Sequence, residues 1–130
     1  MQHTILGGPL TLADGTPLPL SKAIRAGDFV YLSGQLGFDE QGRLPDGVEA
    51  QTRHCLRHIR TLLASAGAQL EQVIKATVWL TDGGDFAAFN RVYGEAFAAH
   101  PPCRSTVISG LVLAAAKVEI EVVAYAPGAR

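Results

Sequence analysis

The sequence predicts an α+β fold in which one mixed β-sheet carries two amphipathic helices on one face. Runs of β-branched and aromatic residues alternate with two stretches of helical periodicity. Each helical stretch lies between extended runs at a length suited to a crossover, and right-handed crossovers put both helices on the same side of a sheet. The chain has 130 residues, so a single domain over residues 1–130 with one sizeable core is expected.

The first 18 residues are turn-rich, with Gly7-Gly8-Pro9, Asp14-Gly15 and Pro17, and hold only short extended pieces. A strand is expected near Leu20–Ile24, and Ala26-Gly27 turns the chain into a second, Asp28–Ser33. Gly37 to Gly47 reads as a loop. Asp46, three residues before Glu49, is the expected N-cap of a helix with a capping-box partner. Val48, Thr52, Cys55, Ile59, Leu62 and Ala66 form its apolar stripe, and Gly67 stops it. Val73–Thr81 reads as a strand with Ile74, Ala76, Val78 and Leu80 on one face and Lys75, Thr77 and Trp79 on the other. A second helix starting near Asp85 aligns Phe86, Phe89, Tyr93, Ala96 and Phe97, and Pro101-Pro102 ends it. Cys103–Ser109 and Val118–Ala126 are the closing strands.

Composition excludes several classes of function. With 11 Lys+Arg against 12 Asp+Glu, the chain lacks the basic excess of a nucleic-acid binder. Two cysteines, Cys55 and Cys103, make no disulfide scaffold. The N-terminus shows no signal-peptide pattern, and no run approaches the roughly 18 apolar residues of a membrane span. A cytoplasmic protein is expected, without membrane or nucleic-acid partners. Two helices cover only one sheet face, yet both faces of the strands are apolar: Phe29 and Tyr31 alternate with Val30 and Leu32, and Val123 and Tyr125 with Ile120 and Val122. An apolar face with nothing in the chain to cover it implies a homo-oligomer packed through its bare sheets.

Most candidate constellations dissolve. His54 and His58 stand one helical turn apart, but the metalloprotease glutamate is missing and Arg53 and Arg57 oppose a cation, so no metal site is expected. Arg53, Arg57 and Arg60 are ordinary solvated surface. Ser33-Gly34 is no nucleophile elbow, because Tyr31 stands where the first glycine belongs. Gly34, Gly37 and Gly42 lack the ending of a phosphate loop. Cys103 is expected to be a half-buried packing residue. Two features survive: Arg104 at the start of a strand, and Glu119 and Glu121, which share a strand face with Val123 and Tyr125. Arg104 either pairs with a glutamate across the strands, or a guanidinium and a carboxylate line a cleft between subunits. In the second reading arginine's fork grips a substrate carboxylate and a glutamate of raised pKa serves acid–base chemistry.

The ordered segments Ala23-Ile24-Arg25-Ala26-Gly27-Asp28-Phe29-Val30-Tyr31-Leu32-Ser33-Gly34-Gln35, Ala50-Gln51-Thr52-Arg53, Val73–Leu80, Asp85-Phe86 through Asn90 and Tyr93, Pro102-Cys103-Arg104-Ser105 and Val118-Glu119-Ile120-Glu121 resemble the RidA (YjgF-type) family of reactive-intermediate deaminases. The resemblance runs from about Pro19 to Tyr125. It implies a chorismate-mutase-like fold assembled as a homotrimer. It also implies hydrolysis of 2-imino acids or their enamine tautomers to 2-oxo acids and ammonia, without a cofactor, in clefts between subunits. By the same resemblance Arg104 clamps the substrate carboxylate and Glu121 positions or activates water. Ser33 and Gly34 form the pocket wall, and Asn90 lies close to the site. The chain departs from the family archetype at three places: Leu20 replaces a pocket tyrosine, Thr106 a cysteine that acts through its backbone, and Cys103 an alanine. A variant of this reading is a deaminase of a larger intermediate, such as an aminomuconate-type enamine, and Leu20 favours a bulkier, more apolar ligand over the smallest imino acids. The alternative is a non-catalytic trimer that binds a small carboxylate metabolite or a partner protein in the same clefts.

Overall fold

In the computed structural model, which describes residues 3–128, the chain forms seven strands and two α-helices. They run β1 (His3–Leu6), β2 (Ala23–Ala26), β3 (Phe29–Leu32), β4 (Gln35–Leu36), α1 (Val48–Ser65), β5 (Val73–Leu80), α2 (Phe86–Phe97), β6 (Cys103–Ile108) and β7 (Val118–Tyr125). The termini of the expected 1–130 domain lie outside the described residues. The strands make one sheet in the order β1-β2-β3-β7-β5-β6, and β4 continues the β3 side of β7. β5 and β6 are parallel and the other pairs antiparallel, so the sheet is mixed, as the helical connections demand. The last strand, β7, inserts between β4 and β5, which α1 connects.

Local chemistry explains the element ends. Gly27, at φ +60°, opens the two-residue turn that pairs Ala26 with Phe29 and matches the twist of a hairpin. The N-cap of α1 is Gly47 at φ +89°, with no side-chain cap. The expected Asp46 cap is therefore wrong, because the left-handed turn at Gly47 leaves Asp46 outside the helix. At the other end Ala68 N–H donates to Leu63 O at 2.8 Å and Gly67 N–H to Ala64 O at 3.1 Å, a Schellman-type close. The first strand pair also differs from expectation. β2 begins at Ala23 rather than Leu20, and His3–Leu6 pairs with it along its whole length.

The core lies between the sheet and the two helices, which touch each other. Val30, Ala76, Val78, Leu80, Val118, Ile120, Val122 and Ala124 face it from the sheet, and Cys55, Ile59, Leu63, Phe89 and Phe97 from the helices, all fully or almost fully buried. Ile74 was expected on this face and is instead exposed. The β5–β7 register shifts between Val73 and Lys75, and this bulge buries Val73 while turning Ile74 out.

Two buried polar residues staple the periphery. Arg25, 8% exposed, donates to Ala66 O at 2.7 and 3.2 Å, Gly27 O at 3.1 Å and Ala126 O at 3.1 Å. Its charge thus closes the C-terminus of α1, where a cation meets the helix dipole favourably. Gln51 donates to Pro45 O and Ala115 O and accepts from Lys117 N–H at 2.8 Å, tying the loop before β7 to α1. Gly37 must be glycine, because a Cβ there would run into the Gln51 carbonyl oxygen and lie 2.6 Å from its Cα.

Among the described residues no helix lies over the opposite face of the sheet. Phe29, Tyr31, Val107 and Tyr125 are exposed there, and the Phe29 and Tyr125 rings touch each other at 5.3 Å between centroids.

Candidate functional site

Arg104 sits on the edge strand β6 and registers with Ala76, while Thr106 registers with Val78. Because Ala76 and Val78 are core residues, Arg104 and Thr106 lie on the helix side of the sheet. There the Arg104 guanidinium rests among three rings of α2: its Cζ is 4.8 Å from the Tyr93 centroid, 5.6 Å from Phe89 and 5.7 Å from Phe86. Cation–π contact of this kind contributes about 0.5–1 kcal/mol or more per partner as water is excluded. One Nη donates to Asn90 Oδ1 at 2.8 Å. Among the described residues no carboxylate forms an ion pair with Arg104. The expected cross-strand pairing with a glutamate is therefore corrected: the glutamates of β7 point to the other face. A half-buried, immobilised and uncompensated guanidinium is a receptor for an anion.

The aromatic cradle was not legible as such. Phe86, Phe89 and Tyr93 read as a core stripe, but Phe86 is exposed at the helix edge beside Arg104. The available signal was the pairing of a ring-rich helix, interrupted by Asn90, with an arginine just after the helix-ending prolines. The Tyr93 hydroxyl is buried without a hydrogen-bond partner of good geometry. Burial raises its pKa and the adjacent Arg104 charge opposes the rise.

Ser33, Gly34 and Glu121 form a second group on the bare face. β3 ends at Leu32 and β4 begins at Gln35; on this edge β7 lacks a partner between Val123, which pairs with Tyr31, and Ile120, which pairs with Gln35, while its other edge stays paired with β5. Ser33-Gly34 spans this break, opposite Glu121. An open cavity of about 290 Å³ is lined by Ser21, Ile24, Tyr31, Leu32, Ser33, Glu121 and Val123. The Ser33 hydroxyl donates to Ser21 O at 2.6 Å, which fixes that wall. Leu20 is next to Ser21 in sequence but is half exposed and does not line the cavity; of the expected wall pair Ser33 lines it, whereas Gly34 lies at the break beside it.

Glu119 lies two residues from Glu121 on the same face, flanked by Leu36 and Trp79. Its carboxylate occupies the space where a Cβ on Gly34 would be. Burial raises its pKa from the ordinary value, and the Glu121 charge raises it further.

Within one chain these two groups do not meet. Arg104 and Glu121 are on opposite faces, and β5 separates their strands, so they are two ladder spacings apart, about 9.6 Å. The expectation that a guanidinium and a carboxylate share one sheet face is corrected for the single chain.

The remaining candidates resolve simply. Cys103 is exposed rather than half-buried, because its register with Lys75 aims it at the bare face of an edge strand. Cys55 is buried, and burial pushes its thiol pKa far up, which makes it inert. His58 Nε2 bonds Phe38 O at 2.8 Å, and no group of three metal-ligating side chains exists among the described residues. No described helix is long and apolar enough to cross a membrane.

Comparison with known proteins adds what the geometry alone does not. The family model described as Endoribonuclease L-PSP matches residues 15–126. A RutC family protein of Pyrococcus horikoshii is 40% identical over 82% of this chain and 86% of its own length. The 3-aminoacrylate deaminase RutC of Acinetobacter baylyi is 39% identical over 89% of this chain and 96% of its own. A crystal structure of RidA from an Antarctic Psychrobacter superposes with a TM-score of 0.80 at 36% identity, covering 94% of this chain and 98% of that one. With a mixed sheet, two helices and these relatives, the chain belongs to the Endoribonuclease L-PSP family, which includes the RidA/YjgF and RutC proteins.

Proposed function

We propose that this protein is a cofactor-independent deaminase that hydrolyses 2-imino acids or their enamine tautomers to 2-oxo acids and ammonia. Arg104 carries the reading: its guanidinium is fixed by Asn90 and three rings and has no acid partner among the described residues. Such a group selects a carboxylate and holds it in one orientation. Deaminase names among the relatives support the chemistry. An endoribonuclease reading, which the family's name carries, is poorly served by a net charge of −1, since phosphate binding calls for a basic surface.

The separation of the two groups supports an assembly. The Arg104 group of one protomer would complete the Ser33–Glu121 cavity of the next, joined through the exposed apolar rings of the bare face. A homotrimer satisfies this with equivalent clefts. In such a cleft Arg104 and the backbone beside Thr106 hold the carboxylate, and Glu121 removes a proton from water as its oxygen bonds to the imine carbon. Imines hydrolyse unaided, so modest acceleration suffices. Ile24, Tyr31 and Val123 make the cavity walls apolar, which favours imino acids with sizeable apolar side chains.

The test generates imino acids in situ with an amino-acid oxidase and follows their decay with and without this protein. Acceleration by the intact protein, abolished in a folded and oligomeric Arg104→Ala, is expected. If decay of small and bulky imino acids alike is unchanged, the protein is a carboxylate-binding module instead.

A further inference from the structure

Imine hydrolysis needs a second proton transfer, because the nitrogen must be protonated before it leaves as ammonia, and Glu121 as a base cannot supply that proton in the same step. Besides the Tyr31 phenol in the cavity wall and the buried, inert Cys55 thiol of α1, which donates to Gln35 O, the structure holds one further ionisable group beside the Ser33-Gly34 break. Glu119 is two residues from Glu121 on one face of β7, a separation of about 6.8 Å along the strand. It has no hydrogen-bond or ion-pair partner among the described residues and is half-buried between Leu36 and Trp79. Its carboxylate fills the space that the missing side chain of Gly34 leaves open. An alanine at position 34 would push that carboxylate aside, so this glycine is a device for admitting Glu119 to the break.

Resting on the deaminase reading, we infer that Glu119 is the acid of a carboxylate pair in which Glu121 is the base. In the first step the Glu121 carboxylate takes a proton from water as the water oxygen bonds to the imine carbon. The C=N π electrons move to nitrogen, which takes the proton of Glu119. The adduct then carries a hydroxyl and an amine on one carbon, and the proton on Glu121 passes to the Glu119 carboxylate. In the second step Glu121 takes the hydroxyl proton, the carbonyl forms, the C–N bond breaks, and nitrogen leaves as ammonia with a second proton from Glu119. Passage of the proton from Glu121 to Glu119 returns the pair to its starting state, with one water consumed. Two like charges so close disfavour double ionisation, and the raised pKa of Glu119 agrees with its being the member that keeps the proton.

Two measurements test this. Steady-state rates against pH, corrected for uncatalysed decay, are expected to show an alkaline limb in the wild-type protein. In Glu119→Gln that limb is expected to disappear and kcat to fall about 100-fold; Glu119→Asp restores the limb. A side chain that merely supports the fold would lower the rate without changing the profile, and that result overturns the inference while leaving the deaminase reading intact. Absence of acceleration by wild-type protein overturns both. Independently of activity, titration of 13C-labelled glutamate carboxylates by NMR is expected to show Glu119 ionising above the ordinary glutamate value and moving down in Glu121→Gln. A Glu119 that titrates as an ordinary glutamate and ignores that substitution also overturns the inference.

Discussion

The two faces of the sheet come from the same strands and behave differently. On one, Val118, Ile120, Val122 and Ala124 of β7 are sealed beneath α1 and α2; on the other, Glu119, Glu121 and Val123 are half-covered and Tyr125 is exposed. The period-2 alternation of a strand makes this division unavoidable, and the chain uses it to separate tasks. Stability is concentrated where water is excluded, and carboxylates and exposed rings are concentrated where it is not. Arg104 belongs to the sealed side by register but reaches its rim, because β6 is an edge strand.

A core truncation tests that division most severely. Ile120 is fully buried, and Ile120→Ala is expected to cost about 2–5 kcal/mol through lost burial and a residual cavity, read by chemical denaturation. Across the sheet, Tyr31 is 50% exposed; Tyr31→Asp is expected to leave the fold of the single chain within about 0.5 kcal/mol of wild type. The same variant is expected to weaken assembly at least tenfold, read by sedimentation. If both variants cost the fold equally, the two faces do not divide stability from assembly.

How much of this was legible follows from the physics of each element. Apolar periodicity revealed both helices and most strands, because a face that must be buried repeats in sequence. It missed the bulge at Val73–Lys75, which shifts the pattern by one residue without a sequence mark and leaves Ile74 outside. It also missed Arg25, since a charged side chain satisfied entirely by carbonyls has no partner residue to betray it. Strand-edge position and alternation singled out Arg104, Glu119 and Glu121, whereas Ser33, Gly34 and Asn90 were legible only through family resemblance. Pattern alone put Arg104 with the glutamates, whereas its side of the sheet is set by register with Ala76, a long-range property that no local window contains.

Asn90 sharpens the contrast within the Arg104 group. The resemblance placed it close to the site, and the structure shows its carbonyl oxygen accepting from Arg104, which in the proposed site makes it a positioning residue. Asn90→Ala is expected to raise KM for the imino acid about tenfold, the loss of one charge-assisted hydrogen bond, with a smaller change in kcat. Asn90→Asp keeps the contact but neutralises the guanidinium and is expected to raise KM at least as much. An unchanged KM in both variants would place the anion elsewhere.

The smallest effect concerns stability on the bare face. Burial first, and the Glu121 charge second, raise the Glu119 pKa above its ordinary value of 4.5. Between that value and the raised one the folded chain holds a proton that the unfolded chain has released. Stability therefore falls as pH rises through this interval, and above it the loss is complete. Glu119→Gln has no charge to desolvate, so it is expected to melt at a higher temperature than wild type at pH 7, by a few degrees at most, with the gap closing below pH 4.5. Thermal melts at one fixed protein concentration, taken across that range, read the effect. A gap independent of pH would mean that Glu119 is tolerated on this face without electrostatic cost, and would remove the physical reason for Gly34 to admit it.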